Sequence, residues 1–154
     1  MNLSKDYASF LQQLQWNYFV TCRSPYRINT MTVRNWLTKL LKKSNKVEQA
    51  FYITERDKGD YNNLHVHMLI GTNTDMSYQE VKYGLGNVSV GDYQPIYDSE
   101  QVCKYVTKHI GKDVDYDNVF KSWNFSGIFI PNTGAWVLEN SFLLKQGCVI
   151  WYVT

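Results

Sequence analysis

Hydrophobic positions along the chain change period several times, and each change marks an element. Tyr7, Phe10, Leu11 and Leu14 recur at helical spacing behind Ser4, which predicts a short amphipathic helix over residues 4–15 with Ser4 as its N-cap. Asn17 to Cys22 is β-rich and reads as a first strand, ended by Ser24-Pro25. Val33, Trp36, Leu37, Leu40 and Leu41 share one stripe, so a second helix is expected with Thr32 as its cap and Arg34, Lys39, Lys42 and Lys43 off the stripe. Phe51 to Glu55 reads as a second strand, Arg56 to Asn63 as a polar turn, and Leu64 to Ile70 as the returning arm of a hairpin. In that pairing Glu55 lies within reach of His65 or His67.

The second half is equally punctuated. Ser77 caps a predicted helix to Leu85, stopped by Gly84 or Gly86. Asn87 to Tyr97 alternates Val88 and Val90 but carries Gly91-Asp92 and Pro95, the marks of an edge or bulged strand. Asp98 with Gln101 fits a capping box and Gly111 a C-terminal stop, so Asp98 to Ile110 is the best-bounded helix, with Tyr105 near its boundary between core and surface. Asp113 to Asn118 reads as an acidic linker, Trp123 to Phe129 follows, and Gly147 to Val153 reads as a last strand. No repeat or domain boundary interrupts the chain, and 154 residues suit one core rather than two, so residues 1–154 are expected to be a single domain.

Composition sharpens this picture. Hydrophobic residues make up 44% of the chain with only three prolines, which argues against disorder. The aromatic share of 16% includes twelve tyrosines, side chains that line β-sheets and also stack on unpaired bases. The net charge of +2 conceals an asymmetry: Tyr7 to Val47 holds seven basic residues and no acid, leaving nine bases against fourteen acids elsewhere, about −5. Such a basic stretch attracts a polyanion or is simply a solvated helix face. Cys22, Cys103 and Cys148 form no CxxC pair, so neither a disulfide framework nor a zinc knuckle is signalled and a reducing cytoplasm fits. No apolar run approaches the roughly 18 residues that span a bilayer, so no membrane partner is expected.

The chemistry concentrates in two stretches. His65 and His67 stand two apart on a predicted strand and so project from one face. Tyr105 and Lys108 stand three apart on a predicted helix and so lie side by side. A histidine pair alone is often plain alternation, and a helix tyrosine is often a core residue. The conjunction of the pair, an upstream acid and a Tyr-x-x-Lys helix is far more specific than any part.

In these stretches the chain resembles the HUH endonuclease superfamily, specifically the single-tyrosine rolling-circle replication initiators of phages, plasmids and small single-stranded DNA viruses. Tyr18-Phe19-Val20-Thr21 is similar to the family's strand-borne first motif, Leu64 to Ile70 to its His-hydrophobe-His motif, and Tyr105 to Lys112 to its Tyr-x-x-Lys motif, in family order. The resemblance implies an α+β fold with a central antiparallel sheet of about five strands flanked by helices, of ferredoxin-like or RRM-like kind. It implies a divalent metal, Mg²⁺ or Mn²⁺, held by His65, His67 and a third polar residue, assigned to Glu55 by the hairpin argument. It implies Tyr105 as nucleophile, a phenol with an ordinary pKa near 10 that needs Lys108 or the metal to favour its reactive form. The product is a 5′-phosphotyrosine and a free 3′-OH on single-stranded DNA at an origin, expected to be a hairpin, with helicase and polymerase supplied by the host or element, since no phosphate-binding loop motif is present. Arg23, Tyr26, Arg27 and Lys112 are the expected DNA contacts, and His109 is expected to be structural. Two alternatives stand beside this reading: a single-tyrosine HUH transposase, and a non-catalytic single-strand binding module in which the histidines are incidental.

Overall fold

A computed structural model describes residues 2–24, 28–57, 60–86, 88–121, 127–130, 135–138, 142–143 and 151–153. The fold is α+β. Helices α1 (Leu3–Leu11), α2 (Thr30–Lys43), α3 (Tyr78–Leu85) and α4 (Ser99–Thr107) are interleaved with strands β1 (Tyr18–Arg23), β2 (Val47–Asp57), β3 (Asp60–Thr72), β4 (Ser89–Pro95) and β5 (Tyr116–Lys121). The five strands form an antiparallel sheet in the order β4-β1-β3-β2-β5. Four short strands follow: β6 (Gly127–Ile130), β7 (Ala135–Leu138) and β8 (Phe142–Leu143) form a separate antiparallel sheet, and β9 (Trp151–Val153) adds to β5 in parallel.

Period-two alternation decides which face each strand residue serves. On one face Val20, Tyr52, Val66, Met68 and Ile70 pack beneath Leu37 and Leu40 of α2 and Val81 and Leu85 of α3. On the other, Phe51, Ile53 and Leu69 meet Tyr7 and Leu11 of α1 and Cys103 and Val106 of α4. Each fully buried Leu or Phe here contributes about 1.5–3 kcal/mol. Ser4 Oγ donates to Thr107 O at 2.7 Å and ties α1 to α4. Because β3 is covered on both faces at its Leu69 end, its sequence is apolar without interruption there. Beyond Leu69 the same face carries His67, buried against Phe19 and Tyr105 of α4, and then His65.

Three expectations require correction. Asn2 and Asn29, not Ser4 and Thr32, cap the first two helices: each is extended and accepts a backbone N–H three residues on, from Lys5 and Thr32. Asparagine caps as well as serine, so the start of each helix moves two or three residues upstream, and α1 ends at Leu11, which leaves Leu14 beyond it. The second half of the acidic linker is strand, since β5 begins at Tyr116 and pairs with β2. Its polar residues find specific partners: Asn118 Nδ2 donates to the Tyr7 hydroxyl at 2.6 Å, and Asp117 pairs with Arg34 of α2. The hairpin strands are also longer than their apolar cores, since β2 and β3 continue pairing to Asp57 and Asp60. The capping box of α3 is complete in both directions, and β4 is an edge strand whose register shifts at Thr21/Cys22. The segment Trp123 to Ser126 and most of the expected last strand, Gly147 to Ile150, lie outside the described residues.

Candidate metal centre and the tyrosine beside it

Sheet register assembles the site. On the face shared with α1 and α4, β1 sets Thr21 opposite His67 and Arg23 opposite His65, while β2 sets Glu55 opposite His65 from the other side. Glu55 Oε2 lies 3.5 Å from His65 Nε2 and 3.6 Å from His67 Nε2. One ligand atom from each of these three residues lies within 4.8 Å of the other two, the one such group among the described residues.

The chemistry of these atoms fits a cation. His67 Nε2 and Glu55 Oε1 are buried and have no hydrogen-bond partner, and buried polar groups are seldom left so. Two imidazoles and a carboxylate form a donor set that hard and borderline divalent ions accept. The imidazoles beside Glu55 hold its carboxyl well below the usual carboxylate range, so it presents a full charge.

Both imidazoles have outer partners. Thr21 Oγ1 lies 3.0 Å from His67 Nδ1. Asp57 Oδ1 lies 2.9 Å from His65 Nδ1, close in distance though not aligned as a hydrogen bond, and Asp57 in turn takes a 2.8 Å ion pair from Arg23. Such partners orient a ligating histidine and choose which nitrogen keeps the proton. Thr21 and Asp57 were not among the predicted ligands or their supports. The signal existed in the alternation of Glu55-Arg56-Asp57, which puts two carboxylates on the histidine face.

Tyr105 reaches this centre from α4. Its ring centroid is 5.7 Å from that of His67 and 6.0 Å from that of Phe19, and Phe19 itself stacks on His67 at 5.3 Å. The neighbours Cys103 and Val106 are buried while Tyr105 is 44% exposed, so its ring is anchored at one edge and open at the other. Lys108 Nζ stands 4.0 Å from the Tyr105 ring centroid and 3.9 Å from Glu55 Oε1. Gly111, at φ +95°, closes the turn after α4 in a conformation that glycine adopts without cost.

The remaining candidates divide. His109, expected to be structural, faces the centre with Nε2 3.9 Å from Glu55 Oε1, and burial pushes it below the ordinary histidine value. Lys112 Nζ lies 3.4 Å from His109 Nδ1, at the exposed rim. Arg23 is engaged with Asp57. Tyr26 and Arg27 lie outside the described residues. The basic residues of α2 belong to the opposite layer, where Arg34 pairs with Asp117 and Lys43 stands over the Tyr83 ring. Among the described residues no helix is long and apolar enough to cross a membrane. Comparison of the chain with protein-family profiles, curated proteins and solved structures returns no significant match, so the case for function stands on this geometry and on the motifs that produce it.

Proposed function

We propose that the protein is an HUH-type single-tyrosine endonuclease and strand transferase that nicks and rejoins single-stranded DNA, and so initiates and terminates rolling-circle replication. One observation carries the reading: a helix-borne tyrosine, some forty residues downstream of the histidines, packs its ring 5.7 Å from His67 in a Glu-His-His group. The ring is 44% exposed with Lys108 Nζ over its face, so a single strand can reach it.

His65, His67 and Glu55 would hold Mg²⁺ or Mn²⁺ through Nε2, Nε2 and the carboxylate. When bound, such an ion supplies Lewis acidity toward a phosphate oxygen. Tyr105 contributes the nucleophilic oxygen: a bond forms from it to phosphorus, the bond from phosphorus to the 3′ oxygen breaks, and the phenolic proton is balanced by the one gained at the 3′-OH. Lys108, between Tyr105 and Glu55, offsets the negative charge that gathers on the phosphate in the transition state. The phosphodiester energy is conserved in the 5′-phosphotyrosine, so rejoining needs no nucleotide cofactor. The substrate is a hairpin-bearing origin in the cytoplasm, opened by a separate helicase and copied by a polymerase.

Incubation with a pool of single-stranded oligonucleotides and Mn²⁺, followed by a denaturing gel, tests the proposal. The expected result is a covalent adduct from the intact protein and none from Tyr105→Phe. Absence of any adduct, or its survival in Tyr105→Phe, overturns it.

A further inference from the structure

A groove of about 340 Å³ opens beside the metal centre and has Tyr105 as part of its wall. Phe19 and Gln94 form its floor on the sheet, directly opposite each other in the β1/β4 register. Tyr97, Asp98 and Gln101 line its other side. Its size falls at the lower end of the roughly 300–1,000 Å³ of small-ligand pockets.

Two features identify the occupant. No Lys or Arg lines the groove, and Asp98 brings a carboxylate, so a phosphate is disfavoured and a neutral group is admitted. The walls are aromatic, with Tyr97 93% exposed although its neighbours are fixed: Ile96 N donates to Asn17 O at 2.8 Å, and Asp98 accepts from Gln101 N at 2.9 Å as the cap of α4. An aromatic ring held out into solvent on an anchored backbone is available for stacking. Gln94 and Gln101 offer amides that both donate and accept, as a base edge requires.

We propose that this groove seats the base of a nucleotide flanking the phosphate that Tyr105 attacks, with Tyr97 as its stacking platform. The assignment rests on the reading of Tyr105 given above and extends it from the reacting phosphate to the neighbouring base. Division of labour follows from the lining: the cationic end of α4 takes the phosphate, and the aromatic groove, whose lining holds no Lys or Arg, takes the ring.

The test uses fluorescence anisotropy of a labelled single-stranded oligonucleotide without metal, and adduct formation with Mn²⁺. Base–aromatic stacking predicts that Tyr97→Ala weakens binding about 5- to 150-fold, that Tyr97→Phe restores it, and that Tyr83→Ala, an exposed tyrosine on the opposite layer, leaves it unchanged. One abasic position beside the cleavage site is expected to cost the wild type a similar factor and to cost Tyr97→Ala almost nothing further. Equal affinity of Tyr97→Ala and wild type, or abasic losses that add fully to the Tyr97→Ala loss at every position, overturns the groove assignment while leaving the nuclease in place. Binding that depends on Tyr97 without any adduct supports the groove and overturns the nuclease.

Discussion

Thr21→Val tests whether the histidine pair is a metal centre or a packing feature. His67 can offer Nε2 to a cation only if its proton resides on Nδ1, where it is donated to Thr21 Oγ1 at 3.0 Å. Valine keeps the volume of threonine and removes that acceptor. His67 is 6% exposed, so water does not replace it. Two responses remain: the buried Nδ1–H goes unpaired at a cost of about 1–3 kcal/mol, or the proton moves to Nε2 and the ligand lone pair is lost. Phe19 still stacks on the ring at 5.3 Å, so the imidazole stays in place and the effect is on its tautomer. Loss of an outer partner of this kind lowers metal affinity about 10- to 100-fold, equivalent to about 1.4–2.8 kcal/mol. Electron paramagnetic resonance of free Mn²⁺ during titration measures the dissociation constant directly, and Thr21→Ser, which keeps the hydroxyl, is expected to bind like the wild type. An unchanged Mn²⁺ affinity in Thr21→Val would refute the claim that Nε2 of His67 is a ligand held by Thr21.

Two further predictions concern the framework. Glu80 accepts from Lys46 and from Ser77, chiefly the former, which lowers its carboxyl to about 2 from 4.5, so its stabilising charge is fully present above 4.5 and is lost as pH falls from there toward about 2. The difference in melting temperature between wild type and Glu80→Gln is therefore expected to be largest at neutral pH and to close across that window, and a difference independent of pH would contradict it. At Gly71 an added Cβ would meet Gln15 O at 2.4 Å and Gln49 Cγ at 2.8 Å, so Gly71→Ala is expected to destabilise by about 1–3 kcal/mol in denaturant titrations; an unchanged midpoint would show that the Gln15 backbone yields freely.

Local patterning determined a great deal here. Alternation on β3 put His65 and His67 on one face, hairpin logic put Glu55 beside them, and the Asp98 cap fixed the start of the helix that carries Tyr105, although that helix ends at Thr107 with Lys108 as its C-cap rather than running to Ile110 and Gly111. These are short-range properties: period, caps and a turn depend on neighbours within a few residues. Caps were misplaced where two competent residues lay close together, as with Asn29 and Thr32, because both satisfy the same local rule.

Only the tertiary structure decided that α4 lies over the histidine face, since nothing along the chain says which side of the sheet a helix will cover. The same holds for β5, whose Asp117 and Asn118 look like linker residues until Arg34 and Tyr7 are brought to them from distant helices. It holds for Thr21 and Asp57, whose service to the imidazoles depends on register and side-chain placement. Finally, the lysines of α2 went to the layer away from the site because an amphipathic stripe dictates that a face is buried but not against which surface.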